Sequence, residues 1–149
     1  MAAKKLQPTT VKFLKLHDNA VLPEKATSGA SGFDLVAVEG ALLQPGSRAV
    51  VRTGLAMEIP HGYEAQIRPR SGMAAKHGIT VLNSPGTIDS DFRGEVKVIL
   101  QNHGPAHEIK LGDRIAQMVI QRVPQVEFEE VTSLTDTGRS TGGFGSTGS

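Results

Sequence analysis

The chain has 149 residues, 38% of them hydrophobic and 21% charged, which suits one soluble domain with its own hydrophobic core. A net charge of +1 says nothing for a general polyanion- or membrane-binding surface, although local clustering still matters, and the absence of cysteine excludes disulfides and thiolate metal sites and suits a reducing compartment. The opening MAAKKLQP has no signal-type apolar region, and no run reaches the roughly 18 apolar residues that span a bilayer, so a soluble intracellular protein is expected.

Short apolar runs rich in β-branched residues follow one another along the chain, at 11–16, 33–38, 48–59, 63–67, 79–82, 95–101, 115–123 and 126–131. Turn signals separate them, among them Gln44-Pro45-Gly46, Pro60-His61-Gly62 and His103-Gly104-Pro105. Glu95-Val96-Lys97-Val98 alternates with the period of a half-buried strand. About eight strands broken by turns every 8–12 residues predict an all-β jelly roll, sandwich or barrel. One short helix is predicted over 71–78, with Ser71 as N-cap, two alanines inside and Gly78 closing it. The expected layout is a tail at 1–9, a β domain at 10–134 and a Gly/Ser-rich arm at 135–149.

Five segments carry polar groups that such a fold does not need. Asp34, in Ser31-Gly32-Phe33-Asp34-Leu35, lies in a strand pattern where Asp is depleted; it is either an edge residue or a buried carboxylate. Arg70-Ser71-Gly72 opens the helix, and reads either as an anion site with a bidentate arginine or as a plain cap beside a solvated one. In the segment from Gly86 to Gly94, set between two strand patterns like a hairpin loop, Asp89 and Asp91 share a side. They could orient water or a hydrated cation, or simply bond a polar turn; the spacing excludes an EF-hand. Asp113 could form an Asx turn, and Gln117 could satisfy backbone groups. The tail GRSTGGFGSTGS sets Arg139 and Phe144 in a composition that predicts disorder. His103 and His107 lack a ligand cluster for zinc, and neither a Walker A loop nor a G-x-S-x-G elbow is present.

In their order, Ala30–Leu35, Arg70-Ser71-Gly72, Gly86–Asp89 with Phe92-Arg93-Gly94, Gly112–Gln117 and Arg139–Gly148 resemble the five motifs of the trimeric dUTPase family across nearly the whole chain. The resemblance implies a jelly-roll subunit in a homotrimer that hydrolyses dUTP to dUMP and pyrophosphate, each site drawing on all three chains. It implies Asp89 as the base that activates a water against the α-phosphorus, with Asp34 supporting that water and the metal shell. It implies Arg70, Ser71, Gly72, Arg114, Gln117 and Arg139 on the phosphates. Asn83, Thr87, Ile88, Asp89, Phe92, the backbone near Lys97 and the Phe144 ring are implied around uracil and deoxyribose. Mg²⁺ is implied as cofactor, held by the triphosphate and waters with no direct protein ligand. No nucleic-acid or membrane partner is expected, and the implied location is cytoplasmic, or nuclear for a eukaryotic source.

Three positions depart from the family pattern: Phe92 where tyrosine is usual, Ser140 where glycine is usual and Ser31 where alanine is common. A ring at Phe92 still leaves no room for a 2′-hydroxyl, so discrimination against UTP is expected to survive. Two other readings compete. A lectin-like or capsid-like binding module would leave these polar residues unrelated, and a dCTP deaminase would need an acid/base beside the pyrimidine, for which 81–92 offers only Asp89 and Asp91.

Overall fold

The computed structural model describes residues 7–148. Ten strands and one helix occur among them: β1 (Lys12–Lys15), β2 (Phe33–Val36), β3 (Ala41–Leu43), β4 (Arg48–Glu58), β5 (Tyr63–Arg68), α1 (Ser71–His77), β6 (Ile79–Val81), β7 (Gly86–Ile88), β8 (Glu95–Asn102), β9 (His107–Ile109) and β10 (Arg114–Arg122). They form two four-stranded sheets, ordered β1-β4-β8-β6 and β2-β10-β5-β7, plus the pair β3-β9. Every pairing is antiparallel. This is the all-β, jelly-roll-like architecture with one short helix that the sequence predicts. No described helix is long and apolar enough to cross a membrane.

Alternation along the strands builds the core. In β5, Ala65 and Ile67 are buried while Glu64, Gln66 and Arg68 face outward; in β8, Val96, Val98, Leu100 and Asn102 point inward. Ala65, Ile67, Val96, Val98 and Leu100 form one continuous cluster with Leu35, Leu43, Val51, Ile79, Ile109 and Ile115. Asn102 is fully buried, and it is satisfied by the carbonyls of Leu43 (2.9 Å) and Pro105 (2.8 Å) and by the Gly104 N–H (2.9 Å).

Four sequence expectations are corrected. The strands β3, β7 and β9 were not predicted, since these three-residue segments lack the β-branched apolar run that marks the equally short β6. Residues 126–131 form no strand; they are exposed throughout, Phe128 at 99%, because no neighbouring strand of this chain pairs with them. The segment 86–94 is not a hairpin loop: β7 joins β5 in one sheet and β8 joins β6 and β4 in the other, so the chain crosses between sheets there. Finally, Ser71 is the first helical residue rather than the cap. Arg70 holds the cap position in extended geometry, with no side-chain capping bond. Gly78 ends the helix in the left-handed conformation (φ 67°), as expected.

The predicted N-terminal tail falls outside the described residues at 1–6, as does Ser149 of the arm. Residues 135–148 are turn-rich and almost wholly exposed.

Candidate active site

The sheet β2-β10-β5-β7 carries most of the candidate residues. Asp34 stands on its edge strand β2, which settles the oddity of an acid in a strand: the carboxylate lies half-buried between two arginines. Arg70 Nε is 3.2 Å from Oδ1 and Arg114 Nη1 is 3.5 Å from Oδ2. Arg70 also donates to the Arg114 carbonyl at 3.2 Å. One carboxylate therefore aligns two guanidiniums that would otherwise repel, leaving one positive charge unbalanced at the mouth of the site.

Gln117 on β10 lies opposite Asp34 on one side and Arg68 on the other. Its amide donates to the Pro69 carbonyl at 2.9 Å, pinning the entry to α1. Gly32 makes this possible, because a Cβ there would overlap Gln117 Oε1. The prediction that Gln117 serves backbone groups is thus met. Asp113 instead accepts from the Lys110 N–H at 2.8 Å, a bond that runs backward across its turn rather than forward as in an Asx turn. Gln66, Arg68, Pro69, Ser71, Ser84, Pro85 and Gln117 surround a cleft of about 520 Å³. Gly72 is exposed beside Ser71 on α1.

Sequence reasoning missed the roles of two arginines here. Arg68 sits in this cleft with its guanidinium held by Gln66 Oε1 (2.7 and 3.3 Å), while Gln66 donates to Glu64 at 2.6 Å. Their two-residue spacing put all three on one face of β5 and was the available signal. Arg93 bonds two carbonyls of its own loop, those of Ser90 (2.6 Å) and Phe92 (3.1 Å); no local pattern announces such a bond.

Of the remaining candidates, Asn83, Thr87, Ile88 and Asp89 lie at or beside the opposite edge of the sheet, and Lys97, Arg139 and Phe144 do not. Thr87 and Ile88 belong to β7, and Asn83 lies against Gly86, whose added Cβ would stand 3.3 Å from the Asn83 amide. Asp89 is exposed directly after β7, in a turn closed by the Phe92 N–H to the Asp89 carbonyl at 3.2 Å. Lys97 is exposed on β8 of the other sheet, paired with Arg52. Arg139 bonds the Gly142 carbonyl at 2.8 Å, within its own segment, and Phe144 is fully exposed.

The separation of these groups is informative. Three interstrand steps of about 4.8 Å divide β2 from β7. The registers Gln117–Asp34, Gln117–Arg68 and Ala65–Ile88 set Asp89 about four residues further along the strands, roughly 13 Å at about 3.3 Å each. Asp34 and Asp89 of one chain are therefore on the order of 15–20 Å apart, too far to serve one phosphoryl centre.

Among the described residues no three His, Cys, Asp or Glu side chains gather as a metal cage. The carboxylates of Asp34 and Asp89, at opposite edges of the sheet, offer only hard oxygens, which suit the water shell of a hydrated Mg²⁺ and not zinc.

A family model described as dUTPase matches residues 18–148. The chain is 57% identical to the deoxyuridine 5′-triphosphate nucleotidohydrolase of Wolinella succinogenes, covering 96% of this chain and 97% of that protein. It is 58% identical to the enzyme of the same name from Nautilia profundicola, over 93% and 98% of the two chains. Among solved structures, a Staphylococcus bacteriophage 80alpha dUTPase with dUpNHpp superimposes with a TM-score of 0.88 at 26% identity, covering 94% of this chain and 99% of that one.

Proposed function

Because this chain belongs to the dUTPase family, as the match over 18–148 establishes, we propose that it hydrolyses dUTP to dUMP and pyrophosphate through sites shared between copies of itself. It is a nucleotide hydrolase, a dUTP diphosphatase. The observation that carries the shared-site reading is the separation of Asp34, Arg70 and Arg114 at one edge of the sheet from Asp89 at the other.

In this reading the phosphates of dUTP meet Arg70, Ser71, Gly72, Gln117 and Arg114 of one subunit. Uracil and deoxyribose lie on Asn83, Thr87, Ile88, Phe92 and the strand backbone near Lys97 of the next. Main-chain donors and acceptors along β7 read the uracil edge; cytosine offers a donor where uracil offers O4, and leaves buried groups mismatched. The thymine methyl is refused by the pocket's size. Asp89 orients a water and takes its proton as that oxygen bonds the α-phosphorus. The bond to the bridging oxygen breaks and pyrophosphate departs. Asp34 holds the two arginines in line and supports the water shell. Mg²⁺, when bound on the triphosphate beside these carboxylates, supplies charge neutralisation. From a third subunit, the 135–149 arm brings Arg139 to the γ-phosphate and the Phe144 face over the base, excluding water. Residues 10–134 form the β domain of a homotrimer in the cytoplasm. Its product supplies thymidylate synthesis, and its action limits uracil entry into DNA.

Pyrophosphate release measured with Mg²⁺ from dUTP, dCTP, dTTP and UTP in parallel tests the reaction. Only dUTP is turned over efficiently; equal rates on all four, or none on dUTP, refute it. Asp89→Asn abolishes turnover while nucleotide still binds, and a retained rate would remove Asp89 as the base.

A further inference from the structure

Phe92 is followed by two residues whose geometry is unlike that of a free loop. The Phe92 ring, 46% exposed, folds back over Gly94. A Cβ on Gly94 would stand 2.6 Å from Phe92 Cζ, closer than real contacts allow, and a tight 3.1 Å from Cε2. Glycine at this position is therefore what lets the ring lie where it does.

Arg93 fixes the loop from the other side. Its Nη1 donates to the Ser90 carbonyl at 2.6 Å and the Phe92 carbonyl at 3.1 Å. Both are charge-assisted bonds to the backbone that carries Asp89 and Phe92. The opposite nitrogen faces Glu58 Oε1 at 3.8 Å, and Glu58 is held in turn by Lys12 at 2.7 Å. The Lys12–Glu58 pair is exposed and adds little energy of its own. Its effect is directional, keeping the planar fork of Arg93 turned toward the loop. Lysine could not reproduce that fork.

We propose that Arg93 and Gly94 are positioning residues for sugar selection: together they lock the Phe92 ring where it meets deoxyribose and leaves no space for a 2′-hydroxyl. The inference rests on the reading of Phe92 as the ring against the sugar. A lost hydroxyl hydrogen bond from the usual tyrosine then matters little, because ring position is set by the backbone bonds of Arg93 and the bare Cα of Gly94. Discrimination is steric, and it depends on how rigidly the ring is held.

The test compares kcat/KM for dUTP with kcat/KM for UTP in wild type, F92A, G94A, R93A and R93K. Chain assembly is checked by size-exclusion chromatography and secondary structure by circular dichroism. The atom that G94A displaces is the far end of a side chain, so this variant keeps the fold and moves mainly the ring. F92A, G94A and R93A each lower the dUTP/UTP ratio by about tenfold or more, the size of a steric discrimination, and R93K does not restore it. A purely structural role would lower both activities together and leave the ratio at its wild-type value in G94A and R93A; that result overturns the inference. An unchanged ratio in F92A refutes the underlying reading of Phe92 and the inference with it. A reduced ratio in F92A alone refutes only the roles of Arg93 and Gly94.

Discussion

Mixing two inactive variants tests whether the site is divided between subunits. Arg70→Ala removes the guanidinium that lies 3.2 Å from Asp34, and Asp89→Asn removes the carboxylate proposed as the base, at the far edge of the same sheet. Each homotrimer is expected to be nearly inactive. In a cyclic trimer, a site drawing Arg70 from one chain and Asp89 from the next is intact when an Asp89→Asn chain precedes an Arg70→Ala chain. Random association at equal amounts makes about three quarters of the trimers mixed, each with one intact site in three, so about a quarter of the wild-type rate returns.

The two substitutions shift charge in opposite directions, so the mixed species separate on ion exchange after joint refolding. A purified mixed trimer is expected to run at about one third of the wild-type rate. If exchange is demonstrated and the mixture shows only the average of the two residual rates, both groups act within one chain. The 15–20 Å separation argued from the strand register would then be wrong, and the shared-site reading would fall with it.

Deleting residues 138–149 leaves a folded trimer that is nearly inactive, checked by size-exclusion chromatography and pyrophosphate release; full activity would refute the closing arm. Asp34→Ala weakens binding of a non-hydrolysable dUTP analogue, measured by calorimetry, although it removes a negative charge facing an anion, because Arg70 and Arg114 lose the group that aligns them. Tighter binding would mean that bulk charge outweighs alignment. Asn102→Ala removes the partner of the buried Leu43 carbonyl and of the part-buried Pro105 carbonyl and Gly104 N–H, at up to about 1 kcal/mol each, and at roughly 2–4 °C per kcal/mol the melting temperature falls by up to about 12 °C. Glu95, with its side chain 11% exposed, is held below its ordinary value of 4.5 chiefly by its hydrogen bonds to Arg52. Its stabilisation is therefore complete above about pH 4.5 and lost as pH falls through the depressed value. Glu95→Gln flattens that acid limb in thermal melts; an unchanged limb would assign acid unfolding to other carboxylates.

The sequence made the long strands legible because β4, β8 and β10 carry enough residues for burial to show as a pattern. It failed where pairing, not pattern, decides. The run Val126-Glu127-Phe128-Glu129 alternates well, yet a strand requires a partner edge, and none of this chain's edges receives it. The three-residue strand β7 has almost no pattern of its own and exists because β5 offers Ala65, Gln66 and Ile67 to pair with. Asp34 was legible as an anomaly, a charged residue in a strand, although its explanation lay in two arginines remote in sequence. Arg93 was legible as part of a motif but not in its role, since it bonds carbonyls beside it, and an arginine in a polar loop carries no mark of that.

Order along the chain and distance in the fold separate most sharply at the candidate site. Asp89 lies between Asp34 and Arg114 in sequence, yet Asp34 and Arg114 touch while Asp89 stands at the other edge of the sheet. The reason is the strand order. β10 inserts between β2 and β5, drawing Arg114 and Gln117 to Asp34, and β5 in turn pushes β7 outward. Both edges of that sheet then carry polar groups, the Asp34–Arg70–Arg114 cluster at one and Asp89, with the crossover that follows β7, at the other. In the proposed reading neither half does the chemistry alone, and the strand register keeps Asp34 and Asp89 of one chain apart. Symmetric association is the arrangement that joins such halves using a single sequence, since each copy offers the edge that its neighbour lacks. In the shared-site reading we propose, assembly is a requirement of catalysis, because β10 and β5 hold the Asp34 and Asp89 edges of one chain apart.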